Sequence, residues 1–423
     1  MITLRRRPRW VARRTRLGTA LATTAVVVSA GITGSVIGLA HAAPGSDPTT
    51  EATSTTPSAG PSADATTSTG MPSASAGQQA GTVYANRQIP GSNLFAGARQ
   101  GNQFTYWSVG ADGAAHLSTG SLYLPPQAAP AGGYPIVVWA HGSRGLADTC
   151  APSVHPTDTD LDALRTWLRR GYAVVGTDYA GLGTTGTPQY YDVDATARNI
   201  VDAVRAGRDI SDQLSAWWAV VGEGQGASAA IALARSAPKL QGPKLDYRGS
   251  AATSIPADFA SLLSNLGPTT TLTAPPGWVS DALYTLAAIR TAHPEVGLDG
   301  YLSDAGRAWM TKAQNQCVGD LTREVAGLSL GSLFSRPLAQ NSTLTTILSS
   351  ASTLPSSGFT RPVLMTQTLQ DPNVVVPLTL KYINDARTAD RRVSGRTYLT
   401  LDERQATSMS DNDTRDFVAG LMR

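Results

Sequence analysis

A glycine-rich turn near the middle of the chain has the spacing at which some enzymes hold a nucleophile. An apolar stretch, Trp217 to Val221, runs into the turn Gly222-Glu223-Gly224-Gln225-Gly226 and then into an alanine-rich stretch. This order matches the pattern G-x-S-x-G, in which a serine at a sharp strand-to-helix turn attacks a carbonyl carbon. The flanking glycines are present here. The central residue is Gly224, so the turn carries no hydroxyl.

Other interpretations of the same turn stay open. Its glycines also resemble a dinucleotide-binding loop with Ala227 in the place of the third glycine, although the strand before them is not the first of the fold. Ser228, one helical turn beyond Gly224, is an alternative nucleophile, although a serine there more often packs or bonds back into its helix. The backbone N–H of Gln225 is a candidate donor to an oxyanion.

Serine attack on an acyl group also needs an adjacent base, and the histidines are badly placed for one. No histidine occurs from residue 294 to residue 423. The five in the chain are His41, His116, His141, His155 and His293. The sequence therefore lacks both a nucleophile at the turn and an imidazole late in the chain.

The elements that must position this turn alternate between buried strands and helices. Alternation of this kind predicts an α/β fold, with a mostly parallel sheet, helices on both faces and the site at the carboxyl ends of the strands. We predict strands at 135–140, 172–176, 217–221, 245–251, 362–366 and 396–401. We predict helices at 161–168, 192–206, 227–234, 376–389 and 413–422. Residues 256–355 break the alternation, are mostly helix-like, and are interpreted as a helical cap inserted after a strand.

The N-terminal segments predict export. Residues 1–42 contain seven arginines and no acid, then an uncharged run at 17–40 and the small-residue pattern Ala40-His41-Ala42. This order indicates a secretory signal, and the uncharged run could anchor the chain in a membrane if it is not cleaved. Residues 43–82 are rich in Pro, Ser, Thr and Ala, and are predicted to form a disordered stalk. The folded body is predicted to span 83–423.

Charge and cysteine content narrow the functional classes. The chain has a formal net charge of +3, but after residue 42 only 27 of its 34 Lys and Arg remain against 31 Asp and Glu, a net charge of −4. No basic face remains that would indicate nucleic-acid binding. Cys150 and Cys317 are the two cysteines. In an exported chain they suggest one disulfide, here between cap and sheet, with two buried free thiols as the alternative.

Four segments resemble the secretory lipase family, the fungal and actinobacterial triacylglycerol lipases with an α/β-hydrolase fold and a helical cap. The run at 171–183 is similar to the family's D-Y-x-G-L-G segment, and Gly222 to Gly226 stands where the family has G-H-S-Q-G. Residues 138–145 with Cys150 resemble its oxyanion loop and cysteine, and residues 301–307 with Cys317 resemble the cap segment that carries the partner cysteine.

The resemblance implies a catalytic triad that this chain does not complete. Asp371 matches the triad acid, Gly224 stands in the serine position, and Glu403 takes the place of the histidine in a Y-P-G-x-D-H pattern. Asp371 and Glu403 could act as a paired acid and base, since one of two neighbouring carboxylates has a raised pKa. Glu223 would add a third carboxylate and a cation site. The alternative is that these acids are solvated or paired with Arg144.

We therefore expect a secreted or cell-envelope protein that is catalytically inactive, with no cofactor, metal or nucleic acid. A covered apolar pocket would bind a lipid or acyl ligand, or the protein would bind a cell-envelope partner. Membrane contact is expected only through an uncleaved N-terminal segment. Two alternatives are a weak or altered lipase or esterase and a protein–protein scaffold displayed on the stalk.

Overall fold

The computed structural model describes residues 79–190 and 192–423. The predicted signal peptide and residues 43–78 of the predicted stalk lie outside the described residues. Within the described part, no helix is long and apolar enough to cross a membrane.

One mixed sheet organises the described part of the chain. Its first three strands form an antiparallel meander that we did not predict: β1 (Val83–Gln88), β2 (Gln100–Val109) and β3 (Ala115–Leu124). The remaining strands run parallel to one another: β4 (Tyr134–Ala140), β5 (Ala173–Thr177), β6 (Leu214–Glu223), β7 (Asp246–Thr253), β8 (Val363–Thr368) and β9 (Val393–Tyr398). The strand order is β1-β2-β3-β5-β4-β6-β7-β8-β9.

Helices cover both faces of this sheet, as alternation predicted. One face packs against α1 (Asp158–Leu168) and α10 (Glu403–Leu421). The other packs against α2 (Val193–Ile210), α3 (Gln225–Leu240) and α9 (Val376–Ala389). Since both faces are covered, the central strands are continuously apolar, and Ile136, Val137 and Val138 are fully buried. The prediction of a mostly parallel α/β sheet is confirmed.

The segment between β7 and β8 is helical and has its own apolar core, centred on Trp278 and Tyr284. Its helices are α4 (Phe259–Ser264), α5 (Pro276–Ala292), α6 (Asp304–Asn315), α7 (Val318–Glu324) and α8 (Ser342–Ser352). A disulfide joins Cys150, in the loop before α1, to Cys317, 167 residues later. The predicted pairing is confirmed, and the free-thiol alternative is wrong.

The predicted C-terminal boundaries were wrong. The last strand ends at Tyr398, and α10 begins at Glu403 rather than at residue 413. The Asp402 side chain accepts a hydrogen bond from the Gln405 N–H at 3.0 Å and caps the helix there. Leu399 and Leu401, which made the segment look like a buried strand, are 80% and 72% exposed.

Candidate functional site

The glycine turn forms the expected sharp junction between β6 and α3. Gly224 has φ 54° and ψ −115°, a backbone conformation that a residue with a side chain adopts only under strain. The Gly224 N–H donates to the Thr253 carbonyl at 3.2 Å, which holds the turn against the end of β7. Gly224 thus occupies the apex of a nucleophile elbow at the carboxyl edge of the sheet.

Close packing explains the flanking glycines. A Cβ at Gly226 would lie 1.9 Å from the Ala140 carbonyl oxygen, and one at Gly222 would lie 2.3 Å from the Gly226 carbonyl oxygen. A Cβ at Gly224 would meet only the Gly142 Cα, at 3.6 Å, which is ordinary van der Waals contact. The flanks are therefore fixed by the approach of α3 to β4, whereas the apex has room for a side chain.

Asp371 follows β8 and is held by three donors. Its carboxylate accepts hydrogen bonds from the Ser254 hydroxyl at 2.7 Å, the Gln367 amide at 3.1 Å and the Asn373 N–H at 2.9 Å. Ser254 was missed by sequence reasoning. It lies just beyond β7 with φ 51°, an unusual conformation for a serine. Three hydrogen bonds therefore orient the Asp371 carboxylate, and its role as the triad acid stays a prediction.

The other positions that the sequence singled out are distributed around this edge. Glu403 is the first residue of α10, and its side chain lies outside the described residues, so its pairing with Asp371 stays a prediction. Gln225 is the first residue of α3, and its N–H has no carbonyl partner within the helix, as in any first helical turn. Its role as an oxyanion donor also stays a prediction. Ser228 is buried, and its hydroxyl lies 3.5 Å from the Gly224 carbonyl oxygen, consistent with back-bonding in the helix.

His141 is the imidazole next to the elbow, and its environment disfavours a role as base. Its ring stacks on Tyr179, with 4.4 Å between ring centroids, and its Nδ1 lies 2.6 Å from the Gly142 carbonyl oxygen. Burial, together with the charge of Arg144, lowers the pKa of His141 to about 4. Among the described residues, no hydrogen bond joins a serine or threonine hydroxyl to an imidazole. The geometry provides no nucleophile–base pair of the triad type.

Arg144, one alternative partner for the acids of the site, has its ion pair with another carboxylate. Its guanidinium makes a buried ion pair with Asp160 of α1, with contacts of 2.6 Å and 3.2 Å. Burial alone would raise the pKa of Asp160, but the Arg144 charge and hydrogen bonds hold it well below its usual range. Asp160 also accepts from the Trp139 indole at 2.9 Å. Within the described part of the chain, the guanidinium thus pairs with α1 and makes no ion pair with Glu223 or Asp371.

The space beside the elbow is nearly filled. His141, Arg144, Tyr190 and Gln225 line a void of about 10 Å³, the volume of one water molecule. This void is too small for an acyl chain. The covered apolar pocket stays a prediction.

A much larger cavity opens on the α1 and α10 side of the same edge. Its volume is about 470 Å³, within the range of small-molecule sites. We call it the α1–α10 cavity; it is lined by Trp139, Thr159, Asp162, Ala163, Thr166, Trp167, Val221, Glu223, Thr253, Ser254, Thr368, Gln370, Asp371, Pro372, Asn373, Thr407, Ser410, Asp411, Thr414 and Arg415. The retained acid and the residue before the elbow apex therefore share one polar cavity.

Glu223 lines this cavity and makes no ion pair among the described residues. Burial raises the pKa of its carboxyl against the opposing charge of Arg144, and the nearby carboxylates of Asp160, Asp371 and Asp411 raise it further. Among the described residues, no cluster of three or more histidines, cysteines or acids could hold a metal ion. The alternative of a cation site at Glu223 therefore gains no support from the described residues.

Comparison with known proteins places these features in a family. A family model described as Secretory lipase matches residues 151–372, which is more than half of the chain. A search of curated proteins found no match.

Solved structures of lipases and esterases share the fold at low sequence identity. A ligand-bound form of the rice cell wall degrading esterase LipA from Xanthomonas oryzae superposes with a TM-score of 0.64 at 18% identity, covering 80% of this chain and 96% of that one. A hydrolase described as putative from Legionella pneumophila gives 0.63 at 17% identity, covering 81% and 98%. Candida antarctica lipase A in its closed state gives 0.58 at 18% identity, covering 77% and 78%. These similarities show an α/β-hydrolase fold.

Proposed function

Because this chain belongs to the secretory lipase family but has glycine where that family carries its nucleophile, we propose that it is an exported, non-catalytic member that acts by binding. The single observation that carries the proposal is the intact elbow with Gly224 at its apex. The turn has the backbone conformation and both flanking glycines of a nucleophile elbow, but it has no side chain at its apex. Without the hydroxyl, acyl transfer has no attacking atom.

The surroundings of the elbow support the same conclusion. His141 is a weak base because its pKa is about 4, and the guanidinium of Arg144 is already paired with Asp160. Family membership is consistent with export, as is the disulfide, since such bonds persist in oxidising compartments. The environments of His141 and Arg144 therefore do not favour catalysis, and the disulfide is consistent with a location outside the cell.

The type of ligand is a separate question. A lipid or acyl ligand and a cell-envelope protein remain the two predictions from sequence. An acyl chain at Gly224 would require displacement of the residues that now leave about 10 Å³ beside the elbow. The α1–α10 cavity, at about 470 Å³, can hold a small molecule without that movement. We therefore favour binding at the α1–α10 cavity.

One observation favours a weak or altered hydrolase as a second candidate. The Ser254 hydroxyl donates to Asp371 at 2.7 Å, and both residues line the α1–α10 cavity. A carboxylate in this position could orient a serine, whereas the usual base for a serine hydroxyl is an imidazole. Residual ester hydrolysis would then depend on Ser254 and not on the elbow.

Covalent labelling separates these candidates. The purified chain is incubated with a fluorophosphonate probe and, in parallel, with a chromogenic short-chain ester, beside an active secretory lipase as the positive control. We expect no labelled serine and no turnover above that of the Ser254→Ala variant. Labelling that maps to Ser254, or to any other serine, would overturn the non-catalytic proposal. Native mass spectrometry of protein from its own host then tests for co-purifying lipid.

A further inference from the structure

Two helices contribute polar side chains to the α1–α10 cavity. On α10 the lining residues recur every three or four positions and are all polar: Thr407, Ser410, Asp411, Thr414 and Arg415. On α1 they include Thr159, Asp162 and Thr166 beside the apolar Ala163 and Trp167. A helix that covers a sheet normally turns an apolar stripe toward it. The polar stripe of α10 therefore disfavours the dry packing that would close the space.

Both helices also pack apolar side chains against the sheet. Leu164 and Leu168 of α1 and Val418 of α10 are buried in one apolar cluster with the sheet. The cavity lies at the carboxyl ends of β7 and β8, where Thr253 and Thr368 are the last strand residues and line it. That edge is where α/β folds place their ligands.

The lining combines hydrogen-bond acceptors and donors. Four carboxylates, of Asp162, Glu223, Asp371 and Asp411, stand against one guanidinium, that of Arg415. Hydroxyl and amide side chains occupy much of the remaining wall. Trp139 and Trp167 also line it, but they are only 9% and 3% exposed. An acyl chain would leave these polar groups without partners, which costs free energy. An anionic ligand would meet an excess of negative charge.

Two of these groups have unused hydrogen-bonding capacity. Glu223 is half-buried, and its carboxylate makes no hydrogen bond or ion pair among the described residues. Arg415 donates from Nη2 to Asn412, but its buried Nε has no acceptor. Buried polar groups are normally paired. A ligand that offers both donors and acceptors would satisfy the two together.

We propose that the α1–α10 cavity binds a neutral or amino-substituted saccharide. Sugar hydroxyls donate to carboxylates such as Glu223 and accept from the Arg415 guanidinium, so one ligand would satisfy both groups. The surplus of carboxylates selects against phosphorylated and acidic sugars. This inference rests on the proposed function, because it names the ligand class for the binding role.

Isothermal titration calorimetry on the secreted chain tests the proposal with defined probes. The panel is glucose, trehalose, glucosamine and N-acetylglucosamine, with glucose 6-phosphate as the anionic counterpart of glucose. We expect saturable binding of at least one neutral or amino sugar, and binding of glucose 6-phosphate at least tenfold weaker than that of glucose. Absence of saturable binding across the panel, or equal binding of the phosphorylated sugar, would overturn the inference.

A matched pair of substitutions on one helix locates the site. Asp411→Asn removes a cavity carboxylate, and Asp416→Asn makes the same change at an exposed position of α10 that does not line the cavity. We expect Asp411→Asn to weaken sugar binding about tenfold, as for the loss of one charge-assisted hydrogen bond, and Asp416→Asn to leave it unchanged. Equal effects of the two would refute the location. Sugar binding alongside serine labelling would refute only the non-catalytic proposal, and no labelling without sugar binding would refute only this one.

Discussion

Replacing Gly224 with serine should restore the missing hydroxyl without restoring activity, and should cost stability. The φ and ψ at this residue, 54° and −115°, are accessible to glycine but strained for any other residue. The nearest atom to a new Cβ would be the Gly142 Cα at 3.6 Å, so no steric clash adds to the strain. We therefore expect Gly224→Ser to lower the free energy of unfolding by about 1–3 kcal/mol.

Activity should remain absent because the new hydroxyl would have no base. His141 is the nearby imidazole, and its pKa of about 4 makes it a poor proton acceptor. Asp371 is occupied by Ser254 and Gln367. A serine without a base retains little nucleophilicity near neutral pH. Hydrolysis of a chromogenic ester by Gly224→Ser should equal that of the unmodified chain.

Urea denaturation followed by circular dichroism measures the stability change, with Gly224→Ala as the matched control. Alanine introduces the same backbone strain without a hydroxyl, so both variants should lose similar stability. Gly226→Ala should fail to fold, because its Cβ would lie 1.9 Å from the Ala140 carbonyl oxygen. Turnover by Gly224→Ser at the rate of an active lipase would refute the reasoning, and so would unchanged stability.

Three further predictions concern the framework around the site. Arg144→Met should lower the free energy of unfolding, measured in urea, by about 3–5 kcal/mol, because it leaves the buried Asp160 carboxylate without its ion pair. Adding Asp160→Leu in the same chain should recover much of this loss. Additive losses from the two substitutions would contradict this prediction. Burial raises the pKa of Asp202 from 3.8 to about 6, against the opposing effects of Ser108 and Arg205. Between pH ~4 and ~6 the folded state therefore keeps a proton that the unfolded state has lost. The free energy of unfolding should fall by about 3 kcal/mol as the pH rises across that range. Asp202→Asn should remove this slope in denaturation curves measured across that range, and an unchanged slope would refute the assignment. Reduction of the Cys150–Cys317 bond, which closes a loop of 167 residues, should cost about 5 kcal/mol in the chain-entropy model, and an unchanged urea midpoint with dithiothreitol would contradict that estimate.

Local patterns in the sequence were enough to predict the elbow and the parallel strands. The glycines at 222 and 226 mark a turn because a Cβ at either position would meet a backbone carbonyl oxygen, and the pattern that they form spans only five residues. The N-terminal meander was missed, although alternation in β2, with Phe104 and Tyr106 buried, was a usable signal. The predicted C-terminal boundaries were wrong because Leu399 and Leu401, although exposed, gave the segment the apolar content of a strand.

The partners of the site residues could not be read from sequence because they are distant in the chain. Ser254 reaches Asp371 across 117 residues, and only the parallel pairing of β7 with β8 brings them together. A local sequence pattern could have indicated the acidic partner of Arg144. Thr157 and Asp160 form a capping box at the start of α1, which marks Asp160 as a fixed carboxylate close to the oxyanion loop.

The attachment of the cap to the loop after β4 has a consequence for how the protein is made. The backbone of Val318 donates to the Arg144 carbonyl at 2.9 Å, and Gly145 pairs with Cys317 beside the disulfide. Oxidation of Cys150 and Cys317 thus adds a covalent bond to the hydrogen bonds that hold the cap against the loop after β4. Recombinant protein made in a reducing cytoplasm would lack this disulfide, so ligand screens should use protein recovered from a periplasm or culture medium.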